Sequence, residues 1–123
     1  MTRTLIRYRT KPDMADRNAE LIAAVFEELK AVQPEGVRYL SLRLDDTFVH
    51  FVEAETDSGS ALPGLAAFKA FQSGIRERCI EPPQPGGATI VGNYRMLAAA
   101  GYIAHRDGTA LGHQLTHEFA AHP

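Results

Sequence analysis

The side chains best suited to proton chemistry in an apolar setting are His50 and three tyrosines, Tyr8, Tyr39 and Tyr94. An imidazole titrates near neutrality and can take a proton from a phenolic or enolic oxygen. Phenol hydroxyls can orient an oxygen-bearing aromatic ligand. His50 sits within TFVHFVEA, and Ser41, in VRYLSLRL just before it, is a natural hydrogen-bond partner. Two readings stand side by side. His50 is a catalytic base in a pocket with Tyr8, Tyr39, Ser41 and Tyr94 as substrate-binding groups, or it is a core histidine satisfied by Ser41 or a tyrosine.

Other chemistry-bearing residues point nowhere as specific. His113 and His117 lie four apart in HQLTH, the spacing of a zinc-protease helix, but Gln114 stands where that chemistry needs a glutamate base. No metal site is expected from them. Cys79 is the one cysteine, so no internal disulfide can form, and it reads as a small buried hydrophobe in a reducing compartment. Arg43, beside a turn, reads as a solvated charge. There is no phosphate-binding glycine loop, because Pro85-Gly86-Gly87 belongs to a connector.

The stretch that must position His50 is Gly36 to Ala54, which reads as two strands joined by a tight turn at Asp45-Asp46; Asp-Asp is a weaker turn signal than Asn-Gly, and a longer loop that shifts the register is the alternative. That register sets Leu44 opposite Thr47, Leu42 opposite Val49, Leu40 opposite Phe51 and Arg38 opposite Glu53. On the other face Arg43 meets Phe48, Ser41 meets His50, Tyr39 meets Val52 and Val37 meets Ala54. One face is a leucine-rich surface that water would penalise by about 1.5 to 3 kcal/mol per side chain. The second mixes apolar residues with a tyrosine, a serine and the histidine.

Around the hairpin, Arg3 to Thr10 alternates as a first strand, with Ile6 and Tyr8 on one side and Leu5, Arg7 and Arg9 on the other. Asp13 is a candidate N-cap for a helix carrying Ile22, Val25, Phe26, Leu29 and Val32 on its apolar stripe and ending before Pro34. A second amphipathic helix is expected through Leu65, Phe68, Phe71 or Gln72, Ile75 and Cys79 despite Gly74. Glu81 to Gly87 reads as a stiff proline-rich connector. Ala88 to Leu97 reads as the fourth strand, with Tyr94 on one face and Asn93 and Arg95 on the other.

The order strand, helix, strand, strand, helix, strand is the ferredoxin-like βαββαβ plan, an α+β fold with a four-stranded antiparallel sheet and both helices on one face. One domain, residues 1–97, is expected, followed by a C-terminal extension, residues 98–123, that holds four of the five histidines. The helices leave the leucine face bare, so a homodimer packed sheet on sheet through Leu40, Leu42, Leu44, Val49 and Phe51 is expected. Arg7 and Arg9 then fall at its boundary beside acidic groups such as Glu53.

Composition narrows the partners. Thirteen basic and fifteen acidic residues among 123 give a net charge of −2, which offers no field for nucleic acid or an anionic membrane. The charged positions in TRTLIRYRT break any apolar signal core, and no apolar run is long enough to span a bilayer. A cytoplasmic protein is the expectation.

The element order, RYRTKPD leading into the first helix, the GVRYLSL and FVHFVEAET strands and the AAFKAF patch resemble the dimeric α+β barrel superfamily, in particular the antibiotic-biosynthesis-monooxygenase-like, quinol monooxygenase-like group. The resemblance covers roughly residues 3–97. It implies dimerisation through the sheets and a ligand pocket between helices and sheet, with Phe48, His50, Val52, Ala54, Ile6 and Tyr8 on the pocket side. It also implies a cofactor-independent monooxygenase acting on a phenolic, quinol or polyketide-like small molecule; the alternative, from the residues, is a non-catalytic binding or assembly module in which His50 and Ser41 only satisfy each other. Haem-degrading members of the superfamily carry an Asn where this chain has Ile6, and many members carry a His where it has Ala67, so haem binding or degradation is the least expected activity and no cofactor is foreseen.

Overall fold

The computed structural model describes residues 1–55 and 61–97. The C-terminal residues 98–123, with His113 and His117, lie outside the described residues. The chain divides into two compact units, Met1–Ala88 and Thr89–Pro123.

The first unit holds the sheet. Its strands are β1 (Thr2–Thr10), β2 (Val37–Leu44), β3 (Thr47–Ala54) and β4 (Cys79–Gly87), all antiparallel and ordered β2-β3-β1-β4. Every hairpin pair expected from the sequence is present, from Leu44 opposite Thr47 to Val37 opposite Ala54. Asp45 takes the turn with a left-handed φ of 57°, which aspartate tolerates better than most residues.

Between β1 and β2 runs α1 (Ala15–Val32), entered through a single 3-10 turn, Pro12–Met14. Asp13 lies inside that turn, and the helix begins after Met14 with no side-chain cap. Pro12 presets the backbone for that turn. Gln33, left-handed at φ 51°, returns its N–H to the Leu29 carbonyl and ends the helix before Pro34. The buried stripe is Ala15, Asn18, Ile22 and Val25, and Val32 is exposed rather than part of it.

The expected second helix is broken into three pieces, α2 (Ala61–Gly64), α3 (Ala66–Gln72) and α4 (Ile75–Arg78). Leu65 and Ser73 are extended and Gly74 is left-handed at φ 78°, so the chain turns sharply between α3 and α4. Most of the expected inward residues do face inward, with Leu65 buried and Phe68 and Ile75 half-buried; of the pair left open, Phe71 is buried and Gln72 exposed, and Cys79 opens β4 instead of continuing the helix. Tyr8 and Phe48 from the sheet, Ala15, Ile22 and Val25 from α1, and Phe71 from α3 form one buried cluster. Both helical layers therefore cover the same face.

The fourth strand is not Ala88 to Leu97, as the alternation there suggests, but the proline-rich segment before it. An edge strand needs N–H groups only on alternate positions. Ala88 N–H bonds the Arg3 carbonyl, and two residues on at each step this phase places Pro85, opposite Ile6, on a non-bonded position. Register shifts between Arg7 and Thr10 absorb Pro82 and Pro83. Residues 89–97, in the second unit, contain no strand. Asn93 Oδ1 instead accepts from the Met96 and Leu97 N–H groups, and the Arg95 guanidinium lies 5.1 Å from the Tyr94 ring centre. Tyr94, Asn93 and Arg95 are thus not the strand residues that the sequence pattern made them.

On the uncovered face Leu40, Leu42 and Leu44 are 42%, 57% and 75% exposed, with Val49 and Phe51 half-buried beside them. Glu53 pairs there with Arg3 at 2.8 Å and faces Arg38 at 3.9 Å, while Arg9 meets Asp46 and Arg7 meets Glu81. Glu53 is thus paired within the chain by Arg3, its register partner, and not by Arg7 or Arg9.

Candidate functional site

Alternation brings Tyr8 of β1 and His50 of β3 to the covered face of neighbouring strands, and Tyr39 of β2 reaches the same histidine from the other side. Both imidazole nitrogens are engaged. Tyr8 Oη lies 2.8 Å from Nε2 and Tyr39 Oη 2.7 Å from Nδ1. The Tyr8 and His50 rings stack 5.3 Å apart, and Phe71 tilts against both.

The bonds continue away from the sheet. Asn18 of α1, fully buried, donates from Nδ2 to Tyr8 Oη at 2.8 Å. Arg78, 6% exposed at the end of α4, donates to Asn18 Oδ1 at 3.0 Å and to the carbonyls of Ser73 and Phe71 at the end of α3. A seven-residue helix leaves its last carbonyls without partners, and the arginine supplies them. The result is a continuous relay, Arg78–Asn18–Tyr8–His50–Tyr39, through the core.

A cavity of about 240 Å³ lies alongside its last three members, Tyr8, His50 and Tyr39. Ile6, Val52, Phe68, Phe71 and Ile75 give it aliphatic and aromatic walls, Pro83 and Pro85 of β4 form one side, and Tyr8, Tyr39, His50 and Gln72 complete the lining, with Tyr8 and His50 each only 1% exposed. This is just under the usual range of ligand pockets, about 300 to 1,000 Å³, and suits a ligand of one or two rings. Ser41, opposite His50 in register, makes no bond to the imidazole and lines a separate, more open groove with Phe26, Leu40 and Arg43. Burial pushes the His50 pKa down to about 4, and it raises those of Tyr8 and Tyr39 well above the ordinary phenol value. All three groups are neutral near pH 7.

No family model matches the chain, and no curated protein matches it in sequence. Solved structures do resemble it. A candidate antibiotic biosynthesis monooxygenase from Bacteroides thetaiotaomicron superposes with a TM-score of 0.65 at 12% identity, over 80% of this chain and 95% of that one. Others are from Nitrosomonas europaea, with a TM-score of 0.60 at 15% identity over 72% of this chain and 88% of that one, and Caulobacter crescentus, with 0.60 at 16% over 73% and 89%. The fold is that of the antibiotic biosynthesis monooxygenase-like proteins.

Within this monooxygenase-like fold the structure brings together three of the expected site residues, Tyr8, Tyr39 and His50, and separates Ser41 from them. Two relay members were missed, Asn18 and Arg78. Each left a trace in the sequence. Asn18 falls on the apolar stripe of α1, four residues before Ile22, and Arg78 falls three residues after Ile75 on the inner face of α4. A polar residue on an apolar stripe is either an error of phase or a buried group with a partner.

Among the described residues no helix is long and apolar enough to cross a membrane.

Proposed function

We propose that the protein binds a one- or two-ring oxygen-bearing aromatic molecule in the cavity between sheet and helices and oxidises it with O₂ without a resident cofactor. The observation that carries this reading is a mainly apolar cavity lined by Tyr39, whose hydroxyl is hydrogen-bonded to the buried His50 imidazole on the same wall. The likeness in fold to candidate antibiotic biosynthesis monooxygenases supports the reaction class.

In this reaction an electron-rich phenol or its ring-methylene tautomer is the reductant. A CH₂ group gives its four electrons to O₂, one oxygen atom becomes the carbonyl of the product and the other leaves as water. The chain's part is to orient the ring, exclude water and hold the oxygen that gains charge. Tyr39 is the group in contact with that oxygen. His50 acts through Tyr39, since tyrosine hydroxyls occupy both its nitrogens.

Oxygen uptake with a panel of dihydroxy-aromatics tests the proposal. Tyr39→Phe is expected to lower uptake about a hundredfold, the usual cost of one lost oxyanion donor. Saturable binding without uptake would instead favour a non-catalytic binding module, which the closed hydrogen-bonding of His50 also suits. Haem chemistry is disfavoured by the residues themselves: Ile6, lining the cavity, offers no amide, and Ala67 offers no imidazole.

The proposal includes a homodimer. A second copy laid on Leu40, Leu42, Leu44, Val49 and Phe51 removes from water the apolar face that the helices leave open.

A further inference from the structure

The relay behind the cavity has a direction. A guanidinium only donates, so Asn18 Oδ1, 3.0 Å from Arg78 Nε, is an acceptor. The Asn18 amide is thereby turned with Nδ2 toward Tyr8, to which it donates. Tyr8 Oη receives that bond, and the acceptor for its own proton among the described residues is His50 Nε2. A neutral imidazole that accepts at Nε2 carries its proton on Nδ1, so Nδ1 donates to Tyr39 Oη. The Tyr39 hydroxyl proton then has no acceptor among the described residues; Tyr39 lines both the cavity and a separate groove with Phe26 and Leu29, and of the two it is the cavity that also carries His50, the hydroxyl's partner. The opposite sense would aim both Asn18 Nδ2 and His50 Nε2–H at Tyr8 Oη. It would strand the Tyr8 proton on a side chain 1% exposed, an arrangement that folded proteins avoid.

Arg78 also supplies a field. Its bonds go to the neutral oxygens of Asn18, Ser73 and Phe71, and none of the ion pairs among the described residues includes it. That buried positive charge acts on the near end of the relay, at Tyr8.

We infer that Arg78, through Asn18, Tyr8 and His50, holds the Tyr39 hydroxyl as a hydrogen-bond donor to the cavity. The ligand therefore meets Tyr39 with an acceptor oxygen, a carbonyl or an ionised phenol, and not with an O–H group. Arg78 and Asn18 are positioning residues, since neither lines the cavity. The nature of the occupant rests on the ligand-binding reading above, whereas the direction of the relay does not.

Histidine-selective ¹⁵N labelling of the full chain, with His50 assigned by its absence in His50→Gln, reads the tautomer in ligand-free protein. A proton on Nδ1 is expected, and a proton on Nε2 overturns the inference. Asn18→Asp replaces the donor facing Tyr8 by an acceptor of the same shape. Tyr8 then donates to the new carboxylate, His50 should carry its proton on Nε2, and Tyr39 should turn its own proton toward Nδ1. Arg78→Met, checked for its native fold by circular dichroism, frees the Asn18 amide and should give both tautomers, while a pure Nδ1 form there removes Arg78 from the relay's control.

Two probes read the cavity, 1-tetralone with a bare carbonyl and 1-naphthol with a hydroxyl. Native protein should hold 1-tetralone about tenfold more tightly, the worth of one hydrogen bond gained without stranding a ligand proton. Asn18→Asp should reverse the order, and an unchanged order or a native preference for 1-naphthol overturns the inference. If neither probe binds while Nδ1 carries the proton, it is the ligand-binding reading that fails, and the direction of the relay stands.

Discussion

His50 is held between two hydroxyls in a site where burial opposes its protonation. Its unfolded form takes up a proton below about 6.5, whereas the folded form stays neutral down to about 4. Between those values the unfolded chain binds more protons, so stability falls as pH drops through the window, by at most about 1.4 kcal/mol per pH unit. Urea unfolding across that range should show a steeper acid loss for the native chain than for His50→Gln, whose amide does not titrate. Equal slopes would mean that the imidazole charges freely in the folded state. Tyr39→Phe, by contrast, removes a hydroxyl at the cavity wall and should affect uptake and binding far more than unfolding.

Among the elements, the turn between α3 and α4 matters most to the site because it brings Arg78 back beneath the helix it caps. Gly74 makes that turn at φ 78°, and a Cβ there would sit 3.2 Å from Glu77 Oε2 and 3.6 Å from an Arg78 nitrogen. Gly74→Ala is expected to destabilise by about 1 to 2 kcal/mol from backbone strain, measured by chemical denaturation, and to disturb the His50 tautomer as well. A normal tautomer in a destabilised variant would separate the turn from the relay. At the other edge of the cavity, the prolines of β4 serve two ends. They form one wall of the cavity and, lacking N–H donors, leave the free side of that strand a poor template for pairing with another chain.

At the scale of the whole molecule, the exposed leucines of β2 dominate. Leu42→Glu places a charge in the middle of that face, where it costs little in a monomer and breaks an apolar interface. Sedimentation should show the native chain as a dimer at micromolar concentration and Leu42→Glu as a monomer with its secondary structure unchanged. A native chain that sediments as a monomer would sink the proposed sheet-on-sheet pairing. The buried ion pair of Glu53 with Arg3 lies on the same face and is made within one chain, so it does not itself require a partner.

The sequence by itself determined the hairpin and the alternation of its strands, because the period of two keeps the leucines together and puts His50 on the other face with Tyr39; the Asp45-Asp46 turn is a weak signal, and the tertiary structure decided for its register over a longer loop. It determined the first helix and most of the inward residues of the second helical region for the same reason of periodicity. It misplaced the fourth strand, since alternation marks Ala88 to Leu97 while the choice of Cys79 to Gly87 depends on which edge of β1 is free and on whether prolines fall on unbonded positions. Such facts exist only once strands are paired. The relay is likewise a tertiary product. Asn18, Arg78 and His50 lie on three elements far apart in the chain, and which atom of each donates follows from their meeting in the core, where every buried proton needs an acceptor.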